Sequence, residues 1–212
     1  MTTLEKVETI KEKCMKRKKR KINQIDFNKI EKGVKLIVEA LGDNVNSEGM
    51  KETPRRITEM YREIFSGLYK DVKKEITLYT TKNQDEMIVL RYIPFFSMCE
   101  HHLLPFFGYV HIAYIPSNDK ITGFSNLLEV VDTLSKRPQI QERLTTDIAD
   151  TLVDLLKPMG VLVIVESQQL CLYMRGIKKP GVHTTTSAVR GVMKKPITRE
   201  EALNLIGAGK DK

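Results

Sequence analysis

Two pairs of strand-like segments enclose a pair of helical segments, and this order constrains the fold more than any other feature of the sequence. In chain order the six segments lie at 86–93, 106–116, 125–136, 138–157, 161–167 and 170–177. Pro138 separates the two helices, and Pro158 with Gly160 ends the second one. Paired strands with helices between the pairs are typical of an α+β domain with an antiparallel sheet.

Two further helices are predicted before the first strand. Apolar residues near a 3.6-residue period indicate a helix from Phe27 to Leu41, with Gly42 as its stop. Pro54 suits the first position of the next helix. The expected divisions are a basic extension over 1–25, N-terminal helices over 26–75, a core over 76–195 and a C-terminal tail over 196–212.

The composition is that of an ordinary globular protein. The 212 residues are 41% hydrophobic and 29% charged, which excludes a wholly disordered chain. No apolar run approaches the roughly 18 residues of a membrane helix, and the first residues lack the apolar stretch of a signal peptide. The three cysteines, at 14, 99 and 171, are far apart and odd in number. We therefore expect reduced thiols, a cytoplasmic location and no membrane partner.

The positive charge of the chain is concentrated at its start. Residues 1–21 contribute +6 of the formal net charge of +8, centred on the basic run 16–21. A run of this kind is either a polyanion-binding arm or a solvated extension. No aromatic residues interleave with the basic ones to stack on bases, so we expect a solvated extension and no nucleic-acid partner.

The densest chemical cluster is Cys99-Glu100-His101-His102, in a loop between two strand candidates. A cysteine and a histidine three positions later can reach one metal ion from a turn, and Cys171 offers a third ligand from a distant segment. Zn²⁺ accepts thiolate and imidazole ligands, and a catalytic site leaves its fourth position to water. Alternatively, the cysteines are buried small apolar residues and the histidines lie on the surface.

Several motifs in register carry a family resemblance. They are Glu52-Thr53-Pro54-Arg55-Arg56, Ile64-Phe65-Ser66-Gly67-Leu68, Ser97-Met98-Cys99-Glu100-His101-His102, Ala113-Tyr114-Ile115-Pro116, Lys136 to Thr145, Met174-Arg175-Gly176 and Thr184 to Gly191. With them the chain resembles the GTP cyclohydrolase I family over about residues 27–195. The resemblance implies a zinc hydrolase of cyclic amidine C–N bonds, which converts GTP and water to 7,8-dihydroneopterin triphosphate and formate in pterin and tetrahydrofolate biosynthesis.

The resemblance also implies an architecture. It predicts the tunnelling fold, an α+β arrangement of a four-stranded antiparallel sheet with helices on one face, preceded by N-terminal helices. Subunits of the family pair their sheets into a ring-shaped homodecamer, with active sites at the subunit interfaces. A guanine nucleotide is therefore the expected substrate, and further copies of the chain are the expected partners.

Roles for individual residues follow from the same resemblance. Cys99, His102 and Cys171 would bind zinc, and His101 would donate a proton to the purine as water attacks C8. Glu142 would hold the guanine edge with help from Gln141, because a carboxylate accepts from its N–H groups. The residues that match the family's triphosphate contacts are Arg56, Ser125 and Arg175.

Three pocket positions depart from the family. Gln169 stands where the family has a histidine, and glutamine does not exchange protons near pH 7. Asn126 and Glu129 stand where the family has a phosphate-binding lysine and arginine, which makes the pocket three charge units less positive. One charge pair at about 5 Å is worth roughly 3 kcal/mol at an effective dielectric near 20.

These departures leave three hypotheses open. The chain catalyses the full family reaction, with residues such as Lys136, Arg137 or Lys178 replacing the lost charges. Alternatively, it opens the imidazole ring of a guanine nucleotide with fewer phosphates and stops at a formamidopyrimidine. In the third hypothesis it is a non-catalytic zinc-binding subunit or regulator, although the intact cluster around Cys99 argues against that.

Overall fold

The computed structural model describes residues 25–80, 85–117 and 120–208. Residues 1–24 of the predicted basic extension, with Cys14, lie outside the described residues. The helices are α1 (Phe27–Ala40), α2 (Thr53–Ile64), α3 (Val72–Glu75), α4 (Phe124–Ser135), α5 (Gln141–Leu156), α6 (Leu170–Tyr173) and α7 (Pro196–Gly207). The strands are β1 (Leu78–Thr80), β2 (Ile88–Cys99), β3 (Pro105–Ile115), β4 (Lys120–Thr122), β5 (Pro138–Gln139), β6 (Gly160–Gln169) and β7 (His183–Gly191).

The main sheet has five strands in the order β5-β2-β3-β6-β7, and β1 pairs with β4 in a separate two-stranded sheet. The α+β class is therefore confirmed, but the prediction of four antiparallel strands is wrong. β2, β3, β6 and β7 are antiparallel neighbours, whereas β5 pairs with β2 in parallel, Met98 opposite Pro138 and Cys99 opposite Gln139. Because β5 is only two residues long, it lacks the alternation by which a strand is recognised in a sequence.

Helices cover both faces of the sheet, not one. The larger core lies between the sheet and the helices α4 and α5, and it includes Phe106, Val110, Val163, Leu144 and Ile148. A smaller core lies where α7 packs Ala202 and Ile206 against the opposite face. Residues 196–207, expected only as a tail, thus form a helix that covers one end of that face. No helix in the described parts of the chain is long and apolar enough to cross a membrane.

The last predicted strand, 170–177, is wrong. β6 continues to Gln169, and the next four residues form the single helical turn α6. The strand that pairs with β6 is instead β7, over His183–Gly191, with Gln168 opposite His183. The apolar residues after Gln169 resemble a strand in composition, but the chain turns away from the sheet there, while β7 is polar and half-exposed on its outer face.

Candidate active site

The sheet topology brings two cysteines that are distant in sequence to neighbouring strand ends on the same side of the sheet. β2 and β6 both pair antiparallel with β3, so they run in the same direction and end at the same edge of the sheet. Cys99 is the last residue of β2, and Cys171 follows the end of β6 within α6. The antiparallel pairing therefore places residues 72 positions apart in sequence next to one another.

A tight turn between β2 and β3 presents the two histidines. The backbone N–H of Cys99 donates to the carbonyl of Leu104 at 2.9 Å, and the N–H of Leu103 donates to the carbonyl of Cys99 at 2.8 Å. Leu103 has a left-handed φ of 51°, which lets the chain reverse within this short turn. As a result, the side chains of His101 and His102 are exposed, while Cys99 is buried beneath them.

Cys99, His102 and Cys171 form a compact donor cluster. One ligand atom from each residue lies within 4.8 Å of the others. Cys99 Sγ is 3.9 Å from Nδ1 of His102 and 3.8 Å from Nδ1 of His101. Two thiols and one imidazole, the latter exposed to solvent, are the donor set and openness of a catalytic zinc site with three protein ligands.

The electrostatics of this cluster suit a cation. Burial and the neighbouring thiol of Cys99 both raise the pKa of the Cys171 thiol, because two sulfur atoms are held close together and partly away from water. A divalent ion between them would reverse that effect by stabilising both thiolates. The guanidinium of Arg175 lies beside the cluster, where its Nη1 contacts Nε2 of His102.

A buried hydrogen-bond network adjoins the end of β6 and centres on Gln141, the first residue of α5. Its Oε1 accepts from Ser167 Oγ at 2.8 Å, from Gln169 Nε2 at 2.9 Å and from Thr184 Oγ1 at 2.5 Å. Its Nε2 donates to the carbonyls of Val165 and Thr184, at 2.9 and 3.0 Å. The Gln141 amide is therefore saturated within the protein, while the next residue, Glu142, is exposed.

The family model for GTP cyclohydrolase I matches residues 30–207. The chain belongs to the GTP cyclohydrolase I family. It is 50% identical to a GTP cyclohydrolase 1 of Carboxydothermus hydrogenoformans over 86% of this chain and 96% of that protein. It is 52% identical to one of Pelotomaculum thermopropionicum, over 85% and 97%, and 47% identical to one of Bacillus cytotoxicus, over 86% and 97%. These matches confirm the resemblance found in the sequence.

Two of the positions predicted to depart from the GTP cyclohydrolase I family lie on the first turns of α4. Asn126 Nδ2 donates to the carbonyl of Thr77 at 2.9 Å and to Thr122 Oγ1 at 2.8 Å, which joins α4 to the small sheet. Glu129 Oε1 accepts from Lys70 Nζ at 2.7 Å, and this ammonium holds the pKa of Glu129 below its usual value. Both substituted side chains are thus engaged in contacts with other parts of the chain.

The candidate phosphate contacts are dispersed within one chain. Arg56 Nη2 donates to the carbonyl of Gly49 at 3.2 Å and to Thr53 Oγ1 at 3.3 Å, and Ser125 is exposed at the start of α4. These hydrogen bonds of Arg56, like those of Asn126 and Glu129, go to partners outside the donor cluster. Arg175, by contrast, touches the cluster directly.

Two of the residues proposed to replace the lost positive charge have other partners. Lys136 Nζ pairs with Asp132 at 3.1 Å. Arg137 Nε donates to the carbonyl of Gly67 at 2.7 Å, and burial lowers the pKa of its guanidinium. Lys178 is exposed, and its backbone N–H donates to the carbonyl of Arg175 at 3.3 Å.

Four residues with structural contacts near these positions were not predicted from the sequence: Ser167, Thr184, Lys70 and Arg143. Hydroxyl residues at strand ends are common, so Ser167 and Thr184 carry no local signal of a buried network. Arg143 carries no signal either, because nothing in the residues around it indicates that it pairs with the carboxylate of Glu100.

Proposed function

We propose that this chain is a zinc-dependent hydrolase that acts on GTP and yields 7,8-dihydroneopterin triphosphate and formate. The observation that carries this proposal is the Cys99, His102 and Cys171 cluster, with ligand atoms within 4.8 Å of one another. It occurs in a chain that is about half identical to proteins named GTP cyclohydrolase 1 over most of their length.

The three side chains would hold one zinc ion and leave a coordination position open. When bound, zinc in such a site activates a water molecule near neutral pH and polarises the bond that is attacked. Cys99 is fixed by the hydrogen bonds of the β2–β3 turn, and Cys171 by its place directly after β6. The protein therefore supplies a site whose ligands are held before the substrate arrives.

His101 is the proposed proton donor to the imidazole ring of the purine. It is exposed on the same turn as His102, and imidazole is the side chain that most often serves as a general acid or base in enzymes. Glu142 would accept from the N–H groups of the guanine edge. Gln141 would assist indirectly, by holding the start of α5 and therefore Glu142 in place. Its own amide is already hydrogen-bonded to Ser167, Gln169, Thr184 and Val165.

Arg175, Arg56 and Ser125 are the proposed phosphate contacts. Arg175 is the best supported of the three, since its guanidinium already lies against His102. The family's homodecamer, built on the tunnelling fold, would bring Arg56 and Ser125 of one subunit to the cluster of another.

The sheet edges and one sheet face support that assembly. In the described chain, β7 is an edge strand, and β5 pairs with only the last two residues of β2. The exposed face of β2 and β3 carries Phe96 and Tyr109, which are 73% and 48% exposed. Mass photometry tests the oligomer size. We also propose a cytoplasmic location, in which the free thiols of Cys99 and Cys171 stay reduced.

A second candidate function is ring opening that stops at a formamidopyrimidine, on a guanine nucleotide with fewer phosphates. The Gln169 amide favours it, because it is hydrogen-bonded to Gln141 and Ser167 and cannot carry a proton between later steps. The pairing of Glu129 with Lys70 also favours it, since an anion occupies a position where the family has a phosphate-binding cation.

One experiment separates the two candidates. The zinc-loaded protein is incubated with GTP, GDP, GMP and guanosine, and the products are identified by mass spectrometry while formate is measured. Dihydroneopterin triphosphate and one equivalent of formate from GTP would establish the first function. A product heavier than its substrate by one water, without formate, would establish the second. Recovery of every substrate unchanged would contradict both.

A further inference from the structure

Glu100, which lies between the proposed metal ligands Cys99 and His102, is bound to the segment before α5 through its backbone and to α5 itself through its side chain. Its backbone N–H donates to the carbonyl of Gln139 at 2.9 Å. Its carboxylate accepts from Arg143 on α5, with Oε2 2.5 Å from Nη2 and Oε1 3.3 Å from Nη1. The guanidinium thus makes a bidentate pair with both carboxylate oxygens, and such a pair fixes the relative orientation of the two groups.

The orientation of Arg143 is itself fixed. Its Nε donates to Oε1 of Gln139 at 2.7 Å, and its Nη2 also donates to the carbonyl of Pro138 at 3.4 Å. Gln139 is 2% exposed, and its Nε2 donates to the carbonyl of Leu134 at 3.2 Å and to Asp147 Oδ2 at 3.3 Å. A buried amide therefore aims the guanidinium at Glu100.

We infer that Arg143 is a positioning residue, which acts through Glu100 to hold the turn of Cys99 and His102 in its metal-binding geometry. The arginine side chain is 16% exposed and that of Glu100 30%, so water screens this pair less than a surface ion pair. Partners that fix the groups around metal ligands typically affect metal affinity 10- to 100-fold. This inference rests on the proposed zinc site.

The chain offers a matched control. Arg190 on β7 pairs with Asp150, also on α5, with Nε 2.7 Å from Oδ1. That pair joins the same helix to the sheet but involves no residue of the Cys99–His102 turn. Arg190→Ala therefore removes an arginine–carboxylate pair of the same helix, more exposed than that of Arg143, without touching the proposed ligand geometry.

The test measures zinc affinity by competition with a chromophoric chelator, and the visible absorption bands of the cobalt(II)-substituted protein. We expect Arg143→Ala to weaken zinc binding about 10- to 100-fold and to alter the cobalt bands. Arg143→Lys should recover part of the zinc affinity, because lysine keeps the positive charge but cannot make the bidentate contact with the carboxylate. Arg190→Ala should match the unsubstituted protein in both measurements.

Unchanged zinc affinity and cobalt bands in Arg143→Ala would overturn the inference. Should that variant fail to fold, Glu100→Gln serves the same purpose, since it keeps the shape of the side chain and removes its charge. A zinc affinity of Glu100→Gln equal to that of the unsubstituted protein would also overturn the inference. Cys171→Ala distinguishes the two proposals. If it binds zinc as tightly as the unsubstituted protein, the proposed metal site is wrong; if it loses zinc while Arg143→Ala does not, only the positioning role is wrong.

Discussion

Gln169 donates a hydrogen bond from its Nε2 to Oε1 of Gln141 at 2.9 Å, and the same Nε2 lies 3.2 Å from Ser167 Oγ. The position where relatives are expected to carry a titratable imidazole is thereby part of a neutral, half-buried network. The network joins the end of β6 to the first residue of α5. The Gln169 amide therefore takes part in hydrogen bonds at this position but cannot carry a proton, as a histidine there could.

If Gln169 limits the later proton transfers of the reaction, replacing it by histidine should speed them. We expect Gln169→His to raise the rate of formate release and the yield of fluorescent pterin after oxidation, by about 10²-fold, since one positioned acid–base group contributes about 10²–10⁴. Formate and fluorescence are measured on zinc-loaded protein with GTP. Gln168→His is the control, because Gln168 instead contacts His183. An unsubstituted protein that already forms pterin at ordinary enzyme rates, with no gain in the variant, contradicts this prediction.

Removing one thiol should remove the metal. We expect one zinc per subunit in the unsubstituted protein, and we expect Cys171→Ala to lose both the zinc and all hydrolysis, because two remaining ligands do not complete the site. Metal content is measured by atomic emission after gel filtration. Cys14→Ala should keep its full zinc content. Full occupancy in Cys171→Ala would place the ion elsewhere.

Restoring two cations should restore the preference for the triphosphate. The double variant Asn126→Lys with Glu129→Arg should favour GTP over GMP by about 2–4 kcal/mol more than the unsubstituted protein does, since two close ion contacts return. Calorimetric titrations of both nucleotides at two salt concentrations measure this difference, which should shrink at the higher salt. An unsubstituted protein that prefers GTP a thousandfold would show that other basic residues act in their place.

The same α4 position provides a test with a single substitution. Glu129→Gln should remove a negative charge beside the ammonium of Lys70, whose Nζ lies 2.7 Å from Glu129 Oε1, and should strengthen GTP binding less than the double variant does. Asp150→Asn is the control, because Asp150 pairs with Arg190 on β7 and neither residue has a proposed part in phosphate binding. Equal effects of the two substitutions on GTP binding would argue for net charge alone and against a role for this position.

The Lys70–Glu129 pair should also appear in the pH dependence of stability. Lys70 lowers the pKa of Glu129 from its usual 4.5, so the pair stabilises the fold above that pH, and the contribution is lost as the pH falls through the lower, folded-state pKa. Because both side chains are partly exposed, we expect about 0.5 kcal/mol at pH 7. Urea unfolding of the unsubstituted protein and Glu129→Gln from pH 7 to pH 4 measures it. A difference that grows towards pH 4 would contradict the prediction.

Local pattern was sufficient for the long elements of this fold. Periodicity and proline positions predicted α1, α4 and α5 within a few residues, because each has an apolar stripe and a clear stop. They did not predict β5 or β7, whose existence depends on pairing. Pro138 and Gln139 are extended because Met98 and Cys99 lie beside them, and the polar β7 is a strand because β6 offers it an edge.

The candidate site divides in the same way. The donor cluster of Cys99, His102 and Cys171 could be predicted from the sequence, since metal ligands are restricted to a few residue types. The contacts that hold these side chains in place could not be predicted. Neither the ion pair of Arg143 with Glu100 nor the hydrogen bonds of the Gln141 amide follow from residue type. Both depend on where α5 begins relative to the ends of β2 and β6.

The common end point of β2 and β6 has a consequence for chain entropy. An ion held jointly by Cys99 and Cys171 closes a loop of about 70 residues, which spans β3, both packed helices and β6. A covalent link across a loop of that length lowers the conformational entropy of the unfolded chain and so raises its free energy by about 4 kcal/mol. A zinc ion that stayed bound to both thiolates during unfolding would therefore restrict the unfolded chain, besides holding the two strand ends of the folded chain together.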